Sequence, residues 1–180
     1  MTSAAVTAQE VSGIRIRLAV REDCEVIADM IDVKHELPSE KEMTPERLRS
    51  DGFPDPASSQ SAASFRCFLA EDVATGQVCG YAIFYPCYST WKGKAMALEG
   101  LYVDEAHQKR GIGHRLFVAV CREALDSGAN AVRLSVHKDN ANAIKFYVQR
   151  GFQNSTEELG WHAGRFPLEA LQKAVRESSN

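Results

Sequence analysis

One stretch near the middle of the chain constrains its fold more than any other. Leu98, Leu101 and Val103 belong to a strand-like run, residues 104–107 form a short turn, and Gln108, Lys109, Arg110, Gly111, Ile112, Gly113 and His114 follow. From Gly111 to about Ser127 the pattern is that of an amphipathic helix, ended by Gly128. A strand that ends in a glycine-bearing loop and opens a helix is a place for a diphosphate. The first N–H groups of a helix have no internal partners and point forward with the positive end of its dipole. Gly111 and Gly113 let the backbone approach a ligand closely, and Lys109, Arg110 and Arg115 add cations suited to phosphate. The loop is not a nucleotide P-loop, because His114 and Arg115 follow Gly113 where Lys and Ser or Thr are needed. A dinucleotide-binding fingerprint needs a third glycine and an early first strand, and neither is present.

The flanking sequence alternates in the same way. Ile14, Arg15, Ile16, Arg17 and Leu18 read as a half-buried strand. Asp23 is positioned to cap a helix carrying Val26, Ile27, Met30 and Ile31, which ends at Leu37 and Pro38. Thr44 and Pro45 start a second, short helix that stops at Asp51 and Gly52. Residues 54–64, rich in Pro, Ser and Ala, read as a loop, because strands resume at once over 65–71, 78–85 and 95–103, the first two joined by a turn at 74–77. Beyond the central helix the pattern predicts a strand at 131–136 and a helix at 140–150 closed by Gly151. Short strands near Phe152 and over 161–166 follow, then a helix from Pro167. The expected fold class is α/β: one mixed central sheet of six to seven strands flanked by four to five helices.

Composition narrows the function. A length of 180 residues suggests one domain, expected over 13–176, with a disordered N-terminus at 1–12 and a tail at 177–180. The formal net charge of −3 argues against a nucleic-acid binder. Five scattered cysteines with no C-x-x-C and histidines without H-E-x-x-H spacing argue against a disulfide framework or a metal site. The first residues lack the features of a secretory leader, and no apolar run approaches the roughly 20 residues of a membrane span. The expected location is the reducing cytoplasm.

The central loop, with the helix that follows later, resembles the GCN5-related N-acetyltransferase (GNAT) superfamily. Gln108, Gly111 and Gly113 match its Q/R-x-x-G-x-G/A motif, and Asn140, Ala143, Phe146, Tyr147, Gly151 and Phe152 match N-x-x-A-x-x-F-Y-x-x-x-G-F. Further stretches at 51–53, 88–93, 98–99 and 158–161 are similar to the diamine (spermidine/spermine) and thialysine N-acetyltransferase group, 88–93 more to its thialysine branch. The resemblance implies that the chain moves the acetyl group of acetyl-CoA, with no metal, to the primary amine of a small cationic molecule: a thialysine- or lysine-like amino acid, a diamine or a polyamine. It implies that Leu101, Tyr102 and Val103 pair their backbone with the pantetheine arm. Residues Gln108, Lys109, Arg110, Gly111, Ile112, Gly113 and His114 would surround the diphosphate, and Asn140, Ala141, Asn142 and Ala143, with Tyr147, would line the rest of the cofactor.

A lysine-like amine has a pKa near ~10.4 and attacks only as the free base, so a carboxylate beside it serves to hold the cation and take its proton. The resemblance assigns that place to Glu99, and to Tyr147 the general-acid position facing the leaving thiolate. It places the amine pocket at His35, Glu36, Glu99, Glu158 and Trp161, and it implies a homodimer. The diamine group usually carries a second acid after the strand glutamate, where this chain has Gly100. That difference favours a shorter amine, a thialysine- or lysine-like amino acid, or another diamine over spermidine or spermine. Two other readings of the same cofactor site are a protein lysine or N-terminal acetyltransferase and a non-catalytic acyl-CoA-binding protein.

Overall fold

The computed structural model describes residues 10–11, 13–34, 43–54, 62–160 and 167–177. The chain divides into two compact units, Met1–Ser135 and Val136–Asn180.

The first unit holds a sheet whose spatial order follows the chain: β1 (Glu10–Val11), β2 (Ile14–Leu18), β3 (Arg66–Asp72), β4 (Val78–Ser89), β5 (Gly93–Val103) and β6 (Val132–Leu134). Neighbours are antiparallel except β5 and β6, which run parallel. That parallel pair requires a crossover, supplied by α3 (Ile112–Asp126). In α3 the buried residues Ile112, Leu116, Val120 and Ala124 recur every four positions, one stripe along the helix. The helix lies against β2, β3, β4 and β5, and burial of a Leu or Val of this kind stabilises the fold by about 1.5–3 kcal/mol. On that side of the sheet the rings of Phe68 and Phe84 stack at 5.0 Å.

The alternate residues of β3 and β4, Cys67, Leu69 and Tyr81, cluster with Cys24, Ile27, Ala28 and Met30 of α1 (Cys24–Lys34) and Leu48 of α2 (Pro45–Gly52). The α2 start is as the sequence predicts, with Thr44 Oγ1 accepting the Arg47 N–H at 3.2 Å. The α1 start differs. A 3-10 turn at Arg21–Asp23 precedes the helix, and the Asp23 carboxylate accepts the Val20 N–H at 2.7 Å. Asp23 therefore caps the turn from within rather than from in front.

The strands of β4 and β5 run longer than expected. They form a hairpin in which Ser89 pairs with Gly93 and Ser89 Oγ accepts the N–H groups of Trp91 and Lys92. Glu10 and Val11, within the stretch expected to be loose, pair with β2.

The second unit contains α4 (Ala141–Val148), α5 (Ser155–Leu159) and α6 (Leu168–Glu177). Phe152 does not form a strand. Gly151, at φ +87°, turns the chain out of α4, and its N–H donates to the Val148 carbonyl at 3.1 Å while that of Phe152 reaches the Tyr147 carbonyl at 3.1 Å. This paired closure is a Schellman motif, and it folds Phe152 back onto the helix. Residues 161–166, where another strand is expected, lie outside the described residues. The fold class agrees with expectation in its mixed sheet. Among the described residues there are five strands of three residues or more plus the short β1, and six α-helices rather than four or five.

Candidate active site

In the first unit the candidate residues lie on one strand and one turn. Register along β4 and β5 pairs Ile83 with Gly100 and Phe84 with Leu98, so Glu99 has no counterpart on β4. It is a β-bulge, which re-aims a side chain and sharpens the local twist. The exposed Glu99 carboxylate accepts a hydrogen bond from the Tyr85 hydroxyl at 3.2 Å. Burial, then the Glu99 charge and this hydrogen bond, push the Tyr85 phenol above its ordinary range. On the opposite edge, β5 pairs with β6 only through Met96, Ala97 and Leu98. From Glu99 onward that edge meets no strand of the sheet among the described residues. Leu101, Tyr102 and Val103 are partly buried, and the main-chain groups of this stretch that face away from β4 lie on a free edge, the arrangement by which strands take up extended ligands.

Close packing holds this edge in place. Gly80 pairs with Val103, and a Cβ on Gly80 would stand 2.7 Å from the Tyr102 carbonyl oxygen. Tyr102 also packs its ring on Tyr81 at 5.9 Å, and burial followed by the Asp104 carboxylate raises its phenol. Gln108 Nε2 donates to the Val103 carbonyl at 3.1 Å, which ties the turn to the strand end.

The turn then enters α3 through two left-handed residues, Lys109 at φ +60° and Gly111 at φ +76°. The left-handed region costs a non-glycine residue about 1–2 kcal/mol, and strain of this kind persists at ligand-binding positions. Gly111 caps α3 without a side chain, and the first bond from that cap into the helix is Arg115 N–H to its carbonyl at 3.1 Å. A Cβ at Gly111 would meet nothing within 4 Å, so glycine serves here for its dihedral and not for space. Lys109 and Arg110 are exposed, as are Gln108 and His114, while Ile112 is buried in the core and Gly113 is partly buried. Ile112 can therefore offer a ligand only its main chain. Arg115 differs from the sequence reading: its guanidinium donates to the Ile14 carbonyl at 2.9 Å, tying α3 to β2.

In the second unit, taken by itself, the candidate residues lie on and around α4. Asn140 Oδ1 accepts the Ala143 N–H at 2.9 Å, so this side chain is a helix cap, and Ala141 and Asn142 follow it exposed. Tyr147 is buried, with ring contacts to Phe146 at 5.2 Å and Phe152 at 6.2 Å. Burial raises its phenol above the usual tyrosine range, so it remains a proton donor at neutral pH. The F-Y-x-x-x-G-F spacing now has a physical basis: Gly151 turns the chain so that Phe152 packs on Tyr147 and bonds its carbonyl. Glu158 lies exposed in the first turn of α5. His35, Glu36 and Trp161 fall outside the described residues.

The sequence reading missed Tyr85 and the bulge. A period-two pattern marks strands, but a bulge appears only once two strands are paired.

The chain matches the acetyltransferase (GNAT) family over residues 30–152, a span that crosses the boundary between the two units. It is 35% identical over 169 residues to a thialysine N-epsilon-acetyltransferase of Bos taurus, covering 89% of this chain and 96% of that one. It is 33% identical to spermidine/spermine N(1)-acetyltransferase-like protein 1 of Homo sapiens, over 72% of this chain and 19% of that protein. An aminoglycoside N-acetyltransferase solved in complex with CoA superposes with a TM-score of 0.64 at 17% identity, over 87% of this chain and 95% of that one.

Proposed function

The chain belongs to the GNAT acetyltransferase family, and on that premise we propose that it carries the acetyl group of acetyl-CoA directly to the primary amine of a small cationic molecule. Relatives named for thialysine span nearly their whole length in the match, which supports a thialysine- or lysine-like acceptor first and a diamine or polyamine second. The observation that carries the reading is the pairing of a free β5 edge with a left-handed, glycine-capped entry into α3. An extended pantetheine arm fits the first, and a diphosphate fits the second.

In this reading Leu101, Tyr102 and Val103 hold pantetheine by their main chain. Gln108, Lys109, Arg110, Gly111, Ile112, Gly113 and His114 surround the diphosphate, and Asn140, Ala141, Asn142 and Ala143 line the remaining side. Glu99 holds the ammonium and takes its proton, directly or through water. The amine attacks the thioester carbonyl, and main-chain N–H groups of β5 steady the oxyanion. Tyr147 then protonates the leaving thiolate. His35, Glu36, Glu158 and Trp161 complete the amine pocket. Residues 13–176 act as one catalytic domain, the working form is a homodimer, and the site of action is the cytoplasm. No helix among the described residues is long and apolar enough to cross a membrane.

A panel of primary amines, assayed for CoA release from acetyl-CoA, tests this. Tyr147→Phe is expected to lower kcat by about 10²–10⁴-fold, the usual worth of a general acid. Glu99→Gln is expected to move the pH optimum upward, since the amine must then lose its proton unaided. Full activity in both variants would overturn the assigned roles.

A further inference from the structure

Arg133, on β6, is an exposed guanidinium with no acidic partner among the described residues. Parallel pairing sets it beside Ala97 of β5, and antiparallel pairing sets Ala97 beside Tyr85 of β4. Paired residues project from the same face of a sheet, so Arg133 and Tyr85 share one face, and Tyr85 reaches along it to Glu99. The Arg133 charge is felt at the Tyr85 hydroxyl, where it opposes the other influences. One face of the β4–β5–β6 strip therefore carries an anion at Glu99 and a cation at Arg133.

Their separation has a chemical meaning. Arg133 lies one strand across and two residues along from Glu99, a Cα-to-Cα diagonal of roughly 8 Å at standard strand spacing and rise. A lysine-like amino acid spans about 7–8 Å from its side-chain nitrogen to its carboxylate carbon, six bonds of about 1.5 Å extended in a zigzag. A polyamine has positive charge at both ends and would meet repulsion at Arg133. Gly100 beside Glu99 leaves a single acid on this stretch of β5, enough for one ammonium.

We propose that Arg133 binds the α-carboxylate of the acceptor and thereby selects a basic amino acid over a diamine or polyamine. The inference rests on the reading of Glu99 as the holder of the reacting amine. Guanidinium and carboxylate form a charge-assisted, two-pronged pair, so the discrimination comes from one contact that a decarboxylated analogue lacks.

Steady-state rates with L-thialysine, L-lysine and 1,5-diaminopentane in wild type, Arg133→Ala and Arg133→Lys test it. The ratio of kcat/KM for the amino acids over that for the diamine should fall about 10- to 100-fold in Arg133→Ala. The fall should appear in the KM of the amino acids and not in kcat, and Arg133→Lys should restore part of it. A ratio unchanged in Arg133→Ala overturns the inference while leaving acetyl transfer to amines intact. No CoA release by wild type with any of the three acceptors overturns the proposed function and this inference with it.

Discussion

Tyr147 owes its protonation state to its surroundings. Its ring lies against Phe146 and Phe152, and burial disfavours the phenolate. A raised pKa keeps the proton on through neutral and mildly alkaline pH and releases it only above the ordinary tyrosine value of 10.0. The kcat profile should therefore show no falling alkaline limb until beyond that value. A limb near pH 8 to 9 in wild type that persists unchanged in Tyr147→Phe would remove Tyr147 as the acid. Phe152→Ala should bring the limb to lower pH, because it lets water reach the phenol. Tyr147 is legible in the sequence from the F-Y-x-x-x-G-F spacing, whereas Tyr85 is not. Its relation to Glu99 depends on a strand register that shifts at Glu99 itself.

Among the elements, β5 carries the most consequence. Its three successive environments are a hairpin with β4, a short parallel contact with β6 and then a free edge. Gly80 permits β4 to approach that last section closely. Gly80→Ala would press a methyl against the Tyr102 carbonyl, at a cost of about 1–3 kcal/mol for overpacking, and should raise KM for acetyl-CoA more than it lowers kcat. Unchanged stability and KM would show that the close pairing does not matter. Strand, turn and helix at 98–126 were readable because period two gives way to period 3.6 across glycines. The free edge was not, since it follows from β6 ending after three residues. A lone Phe152 offered no alternation on which to base a strand, and in the structure it closes α4.

At the scale of the molecule, the first unit carries an ion network far in sequence from the proposed chemistry. Glu71 is buried and bonded by Arg15 and by Arg17, and Arg17 also forks onto Asp23 at 2.8 Å. Hydrogen bonds from Arg17 and then Arg15 hold the Glu71 carboxyl below its ordinary 4.5. Burial alone would raise Asp23, but the Arg17 and Val20 hydrogen bonds keep it below 3.8. Both acids have folded pKa values beneath their unfolded ones. Their stabilisation is complete above about pH 5 and is lost as pH falls through the folded values. Glu71→Gln should lower stability at pH 7 by on the order of 1–2 kcal/mol, with Arg15, whose side chain is 43% exposed, adding little. The variant should also lose less than wild type between pH 5 and 3 in urea melts. Parallel acid curves for the two proteins would contradict this.

Coenzyme recognition through main-chain groups at Gly111 and along β5 is the claim on which the rest depends. Calorimetric titration of acetyl-CoA into wild type and Gly111→Ala tests it most directly. Alanine held in the left-handed region costs about 1–2 kcal/mol, so the free variant should relax away from that conformation and binding must restore it; wild type should bind saturably and the variant roughly tenfold more weakly. An absence of binding heat in wild type, or equal Kd values in the two proteins, would contradict it.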